Sequence, residues 1–319
     1  MRRLSTILLL LLGFLPMSAQ QSPDLSEWMS ALSDETPVHR MSIPGSHDSG
    51  AVCGNVFLKV QDADIPRQLE LGVRFFDIRL KADRENGVTA DDNSGEGARM
   101  LGVYHSGQFM NQTWDADVLP AMRRFLTEHP REFLIVLLKC EGGNRAAFSR
   151  LLGRSLTAAE GVAKDFSANL SLGECRGRIL FLLRDEVEGT PTASMIAGWD
   201  DNVTCNVTIH PRNGTAGTAC VEDEYGYETI AAARYKTLTT LRNMAATALQ
   251  RPADNGAPCW YFSYASCHAV PNNSPEQFAD VVNPAVLAAL PTIEGPLGIV
   301  LIDFCERYKT LIQRIVERN

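Results

Sequence analysis

The chain has 319 residues, a formal net charge of −8 and 45% hydrophobic residues. A negative chain is a poor ligand for nucleic acid and gains little by docking electrostatically on anionic lipid, so neither mode of binding is expected. Its apolar content is enough for a sizeable core, in one large α/β domain or two ordinary ones.

The first 19 residues stand apart. Met1-Arg2-Arg3 is basic, residues 7–15 are apolar, and Met17-Ser18-Ala19 is a small-residue cleavage site, which together read as a secretory signal peptide. The apolar stretch is too short for a comfortable membrane span, and no cysteine follows the cleavage site to carry a lipid. Maturation at Gln20 or Gln21 leaves a secreted or periplasmic protein, with residues 20–36 as a lead-in and 37–319 as the folded domain. In an oxidising compartment the eight cysteines are expected to include disulfides; Cys205 with Cys220 and Cys259 with Cys267 are the nearest pairs in sequence. No Cys/His spacing points to zinc.

Strands are expected near residues 38–43, 73–80, 101–105, 133–139, 179–184, 205–210, 260–265 and 298–304. Several are continuous apolar runs, such as Ile179-Leu-Phe-Leu-Leu183, which suit strands buried on both faces of a parallel sheet. Helical patterns fall at 113–129, 227–250, 274–290 (interrupted at Pro284) and 307–317. Residues 82–99 are polar and rich in Gly and Asp, a loop or irregular insertion. Eight strands alternating with helices define a single distorted (β/α)8 barrel of the TIM type.

Ionisable residues recur where these strands end: His47, Asp77 and Arg79, His105, Lys139, Arg184 and Asp303. In a barrel such ends converge on one face, where active sites are built. His47 lies in Ile43-Pro-Gly-Ser-His-Asp-Ser-Gly50 and His105 in Leu101-Gly-Val-Tyr-His-Ser-Gly107; both imidazoles sit among small residues that let a substrate approach. One imidazole can accept a proton while the other donates, and Arg79 between them can stabilise charge developing on phosphorus. Asp48 and Asp303 are each available to orient an imidazole. Asp77 and Arg79 are two apart on a strand and so face one side. Lys139, Arg184, Asp223 and Tyr225 line a polar pocket, in which Asp223 and Tyr225 hold a polyol by hydrogen bonding and stacking. His39, His129, His210 and His268 are read as surface or loop residues.

The His47-Asp48-Ser-Gly motif, Phe-Phe-Asp77-Ile-Arg79 and Tyr-His105 together resemble the X-domain of bacterial phosphatidylinositol-specific phospholipase C. Looser matches follow at Leu-Leu-Lys139, Leu-Leu-Arg184, Val-Glu-Asp223-Glu-Tyr225 and Ile-Val-Leu-Ile-Asp303, so the resemblance runs from about residue 37 to the C-terminus. It implies a lyase. His47, assisted by Asp303, deprotonates the inositol 2-hydroxyl. Arg79 stabilises the phosphorane, and His105, partnered by Asp48, protonates the departing diacylglycerol. The same resemblance places Lys139, Arg184, Asp223 and Tyr225 against inositol. It also implies that no metal or other cofactor is needed, because Arg79 stands where metal-dependent relatives hold a divalent cation. Phosphatidylinositol and glycosylphosphatidylinositol anchors at a membrane surface are both candidate substrates, and a monomer is expected. Val56, Phe57, Leu58 and Trp260 are candidate lipid contacts, with core packing as the alternative. Two rivals stand beside this reading: a metal-dependent phosphodiesterase acting on glycerophosphodiesters or sphingomyelin, and a catalytically silent module that binds inositol lipids or glycans.

Overall fold

The computed structural model describes residues 24–85, 88–89, 97–185, 187, 193–213, 216–250, 258–269 and 271–319. The segment read as a signal peptide and part of the 82–99 insertion therefore lie outside the described residues.

Nine strands close into a barrel: β1 (Ser42–Ser46), β2 (Phe75–Glu85), β3 (Leu134–Cys140), β4 (Ile179–Leu183), β5 (Ser194–Ala197), β6 (Thr204–His210), β7 (Gly217–Glu222), β8 (Cys259–Tyr264) and β9 (Gly298–Ile302). They follow one another round the ring in chain order, and pairing of β1 with both β9 and β2 shuts it. Neighbours are parallel except at β6, which runs antiparallel to both β5 and β7. The barrel architecture is thus as expected, with nine strands in place of eight.

The differences have local causes. The strand ending at His105 (Met100–His105) is not in the ring. It pairs antiparallel with Leu80–Asp83, where β2 runs on beyond the barrel, and forms a hairpin with Gln108–Thr113. A parallel return needs a crossover, usually a helix; here β2 instead runs on through Glu85 and the strand ending at His105 pairs back against its extension. The short β5 and the Thr- and Ala-containing β7 carry too weak an apolar signal to stand out. Helix Arg145–Ala158 was likewise not anticipated, although Asn144 caps it and its apolar residues recur at helical spacing. Helix Pro275–Ala289, opened by a Ser274–Gln277 capping box, continues through Pro284 without the expected interruption.

Alternation along the strands divides the core in two. In β4, Leu180 and Leu182 fill the barrel interior while Ile179, Phe181 and Leu183 pack outward under the helices. The same period of two puts Phe75, Ile135, Leu137, Trp260, Phe262, Ile299 and Leu301 inside. Trp260 is therefore an interior residue, and its indole donates to the Ala168 carbonyl. Of the four candidate lipid contacts, Val56 is the one left strongly exposed.

All eight cysteines are described, and no disulfide joins any of them. Cys205 is registered with Val221 on the inner face, so the neighbouring Cys220 points outward and cannot meet it. Cys259 opens β8 at the foot of the barrel and Cys267 lies beyond its top. The six-residue strand alone spans about 20 Å, against the ~7 Å limit between bridged Cα atoms.

The foot of the barrel is held by a fully buried ion pair. Arg74 Nε donates to Glu132 Oε2 at 2.9 Å, and the rest of the guanidinium donates to the carbonyls of Leu69, Val73, Leu25 and Ser26. Glu132 Oε1 in turn accepts from the Met29 amide. The pair thus ties the N-terminal segment to the barrel floor, where every donor it offers is used. Glu132→Gln leaves the guanidinium charge uncompensated in a dry site and is expected to cost about 3–5 kcal/mol. Denaturant unfolding checks this; a loss below about 1 kcal/mol would mean the pair does not hold the floor.

Candidate active site

The alternation that fills the barrel with apolar side chains also builds its mouth. Continuing the inward parity by one step past the apolar layers gives His47 after β1, Asp77 and Arg79 on β2, Lys139 on β3, Arg184 after β4, Asp223 after β7, Tyr264 on β8 and Asp303 after β9. Arg79 and Lys139 are registered as direct neighbours. Seven strands thereby end in a charged or hydrogen-bonding side chain at one level, at the C-terminal face.

His47 and Asp303 meet at 2.8 Å through Nδ1, and Arg79 Nη2 lies 3.1 Å from His47 Nε2. A guanidinium only donates, so Nε2 accepts, Nδ1 carries the proton and donates it to Asp303. Burial opposes the imidazolium, but Asp303 outweighs it and raises the His47 pKa above the ordinary imidazole value. Gln61 fixes this corner, donating from Nε2 to the carbonyls of His47 and Ile302 and accepting from the Cys305 amide. Asn283 donates to the Asp303 carbonyl at 2.9 Å.

Asp48, fully buried, bridges the other two groups: its Oδ2 is 3.2 Å from Arg79 Nε and 3.3 Å from His105 Nε2. These are ion-pair distances without hydrogen-bond alignment, and neither carboxylate oxygen has another partner. Burial pushes the Asp48 carboxyl up, against the pull of Arg79 and then His105. At Asp77, where burial acts the same way, Arg79 wins and the pKa is lowered. Arg79 itself stays charged, since Asp48 and Asp77 overcome its desolvation.

His105 reaches this cluster from outside the barrel. Ser106 and Gly107, at φ 47° and 80°, form the two-residue turn of its hairpin, which suits the type I′ geometry. The Leu58 carbonyl accepts from His105 Nδ1 at 2.6 Å, leaving Nε2 to face Asp48. The segment from 53 to 59 that carries Leu58 also presents Val56 to solvent, 59% exposed. Asp48 and Phe304, beside His47 and Asp303, are also held at positive φ, a strained conformation that non-glycine residues keep where surrounding structure over-determines them.

On the opposite side Arg184 Nη1 lies 3.5 Å from Asp223 Oδ2. Burial raises the Asp223 pKa, with Arg184 pulling it back. Lys139, Arg184 and Trp199 line an adjoining cavity of about 360 Å³. Tyr225 stands at the rim, its hydroxyl on Asp201 at 2.8 Å and its pKa pushed up to about 12, first by burial and then by that carboxylate. All ten residues singled out in the sequence thus gather around one mouth, with Tyr225 the most peripheral.

Three aromatic residues there were missed. Trp199 donates to Asp223 Oδ2 at 3.0 Å and stacks under the Arg184 guanidinium at 4.1 Å. Tyr264 sets its ring edge-to-face with His47 at 5.9 Å; its inward parity on β8 was the available signal. His268, read as a loop residue, stacks on Tyr225 at 5.3 Å, a contact between two loops that no sequence spacing encodes.

A closed α/β barrel with two imidazoles, an arginine and a polar pocket at one mouth is equipped for general acid–base chemistry beside a fixed positive charge. No family model matches the chain. It is 25% identical to 1-phosphatidylinositol phosphodiesterase of Staphylococcus aureus strain NCTC 8325, over 99% of this chain and 97% of that one. It is also 25% identical to the enzyme of the same name from Listeria monocytogenes, over 94% and 87% of the two chains. A crystal structure of phosphatidylinositol-specific phospholipase C from Staphylococcus aureus superposes with a TM-score of 0.74 at 24% identity, covering 93% of this chain and 98% of the other. The chain is therefore similar to bacterial phosphatidylinositol-specific phospholipases C across nearly its whole length, and it shares their fold.

Replacing Asp303 by Asn removes the carboxylate that favours the His47 imidazolium, so the His47 pKa falls. The acid limb of kcat/KM reports protonation of the catalytic base in the free enzyme, and with His47 in that role it is expected to move to lower pH. An unmoved limb would assign it to another group.

Proposed function

We propose that this protein is a phosphatidylinositol-specific phospholipase C that cleaves its substrate to diacylglycerol and inositol 1,2-cyclic phosphate. The single observation that carries the reading is the Asp303–His47–Arg79–Asp48–His105 chain of contacts, which offers a base, a cation and an acid in one connected array. Full-length similarity to enzymes named for phosphatidylinositol supplies the substrate class.

His47 Nε2, its lone pair set by the Nδ1–Asp303 bond, takes the proton of the inositol 2-hydroxyl. That oxygen attacks phosphorus within the same molecule, which needs no second reactant to be positioned. Arg79 is pre-paired with Asp48 and Asp77, so it stays in place while charge develops on the phosphoryl oxygens. His105, its Nδ1 on the Leu58 carbonyl, delivers a proton from Nε2 to the departing diacylglycerol oxygen. Lys139, Arg184, Asp223 and Tyr225 hold the inositol ring, and the cavity beside Arg184 leaves room for a substituted headgroup, so glycosylphosphatidylinositol anchors are included among the substrates.

The reaction is metal-independent in this reading. Arg79 occupies the space between Asp48 and Asp77, where a divalent cation would meet like-charge repulsion. We further propose that the protein acts as a secreted or periplasmic monomer at a membrane surface, with the exposed Val56 beside the site as one lipid contact.

Purified protein given phosphatidylinositol vesicles and excess chelator is expected to release diacylglycerol. His47→Ala and His105→Ala should each slow release by about 10²–10⁴-fold, the usual weight of a general base or acid, with vesicle binding retained. Turnover that appears with added calcium alone would instead favour a metal-dependent phosphodiesterase. Vesicle binding by a wild-type protein that never cleaves would favour a binding module.

A further inference from the structure

His47 is held through Nδ1 by Asp303 and faces Arg79 at Nε2, but contacts at the two ring nitrogens do not by themselves fix rotation of the imidazole plane about the line joining them. What borders that plane is Tyr264, edge-to-face at 5.9 Å with an interplanar angle of 78°. Tyr264 is 1% exposed and meets Trp199 in a second edge-to-face contact, at 6.0 Å and 74°. Trp199 is pinned in turn by its hydrogen bond to Asp223 and by Arg184 stacked at 4.1 Å. A continuous chain of contacts therefore runs from Arg184 and Asp223 through two aromatic rings to His47.

We propose that Tyr264 and Trp199 are positioning residues that couple the Arg184–Asp223 side of the mouth to the imidazole of His47. The inference rests on the reading of His47 as general base and of Arg184 and Asp223 as headgroup contacts. A headgroup that engages that pair bears on the contacts that already hold Trp199, and through Trp199 and Tyr264 on the His47 plane that must be set for proton abstraction. The rings carry the coupling. The Tyr264 hydroxyl, which makes no hydrogen bond among the described residues, takes no part in it. Since the imidazole is set for the reaction and not for binding alone, the consequence falls on kcat.

Each edge-to-face contact is worth about 2- to 12-fold. Tyr264→Leu, which loses both, is expected to lower kcat on phosphatidylinositol by about 4- to 150-fold with KM within about twofold. Tyr264→Phe keeps both rings and should recover most of that loss, with a melting temperature no lower than wild type. An unchanged kcat in Tyr264→Leu overturns the proposal, and so does a Tyr264→Phe loss as large as that of Tyr264→Leu. Should Tyr264→Leu fail to fold, Trp199→Leu breaks the chain at its other end: kcat must fall as well as KM rise, and a change in KM alone overturns the proposal.

The His47 imidazole can also be followed by NMR titration with no substrate present. Its titration should move in Tyr264→Leu and return in Tyr264→Phe; an identical titration in all three proteins overturns the proposal. A wild-type protein that does not cleave phosphatidylinositol would refute the functional reading, while the titration still decides whether Tyr264 sets the imidazole.

Discussion

Closure of the sheet is the constraint on which everything else depends. Once β1 pairs with both β9 and β2, every strand has an inside, and successive side chains alternate between the barrel interior and the helix layer. Apolar residues fill the lower inward layers. At the top the same parity delivers His47, Arg79, Lys139, Arg184, Asp223, Tyr264 and Asp303 to one opening. The site is thus the last layer of the core, changed in chemistry but not in geometry. These seven stand on barrel strands or within one residue of their ends, whereas His105 ends a strand outside the ring, in a tight hairpin anchored to β2.

Charge in that layer is affordable only because it is shared. Asp48 and Asp77 are buried, and either carboxylate alone would protonate sooner than stay charged in a dry site. Arg79 lies between them and touches both, and the outcomes diverge: Asp77 is held low while Asp48 is pushed up. Two carboxylates separated in this way by one cation can serve different ends. Asp48 and then Asp77 keep the guanidinium charged and in place, and Asp48 is also the shared link to His105. At the barrel floor Arg74 and Glu132 form the comparable arrangement with no substrate to serve; all of their bonds go to the protein itself. Asp48, with neither oxygen in an aligned hydrogen bond, is the counterpart that remains incompletely satisfied at the mouth.

Much of this was legible from residue order because barrel strands carry a simple code. Continuous apolar runs such as 179–183 marked strands buried on both faces, and the ionisable residue just past each run marked the mouth. The code failed where pairing and not periodicity decides the outcome. The strand ending at His105 reads like its neighbours in sequence, yet it leaves the ring because it pairs antiparallel with the extension of β2 beyond the barrel. Strands β5 and β7 are short or mixed in composition and gain their identity from the neighbours that flank them. The cysteine pairs failed for a related reason: nearness in sequence ignores that Cys205 and Cys220 face opposite sides of one sheet, and that Cys259 and Cys267 lie at opposite ends of β8. Trp199 and His268 were invisible because each lies in a loop and meets partners far away in sequence, whereas Tyr264 was within reach of the parity rule already used for Asp77 and Arg79.

Phosphorus NMR of the wild-type reaction on phosphatidylinositol, in excess chelator and in ¹⁸O-labelled water, tests the central claim most directly. Intramolecular attack catalysed by two imidazoles and an arginine predicts that the five-membered cyclic ester appears first and carries no solvent oxygen, with any acyclic monophosphate following later. Acyclic inositol phosphate formed from the outset, with solvent ¹⁸O in it and no cyclic precursor, would contradict the account by placing water and not the inositol hydroxyl as the nucleophile.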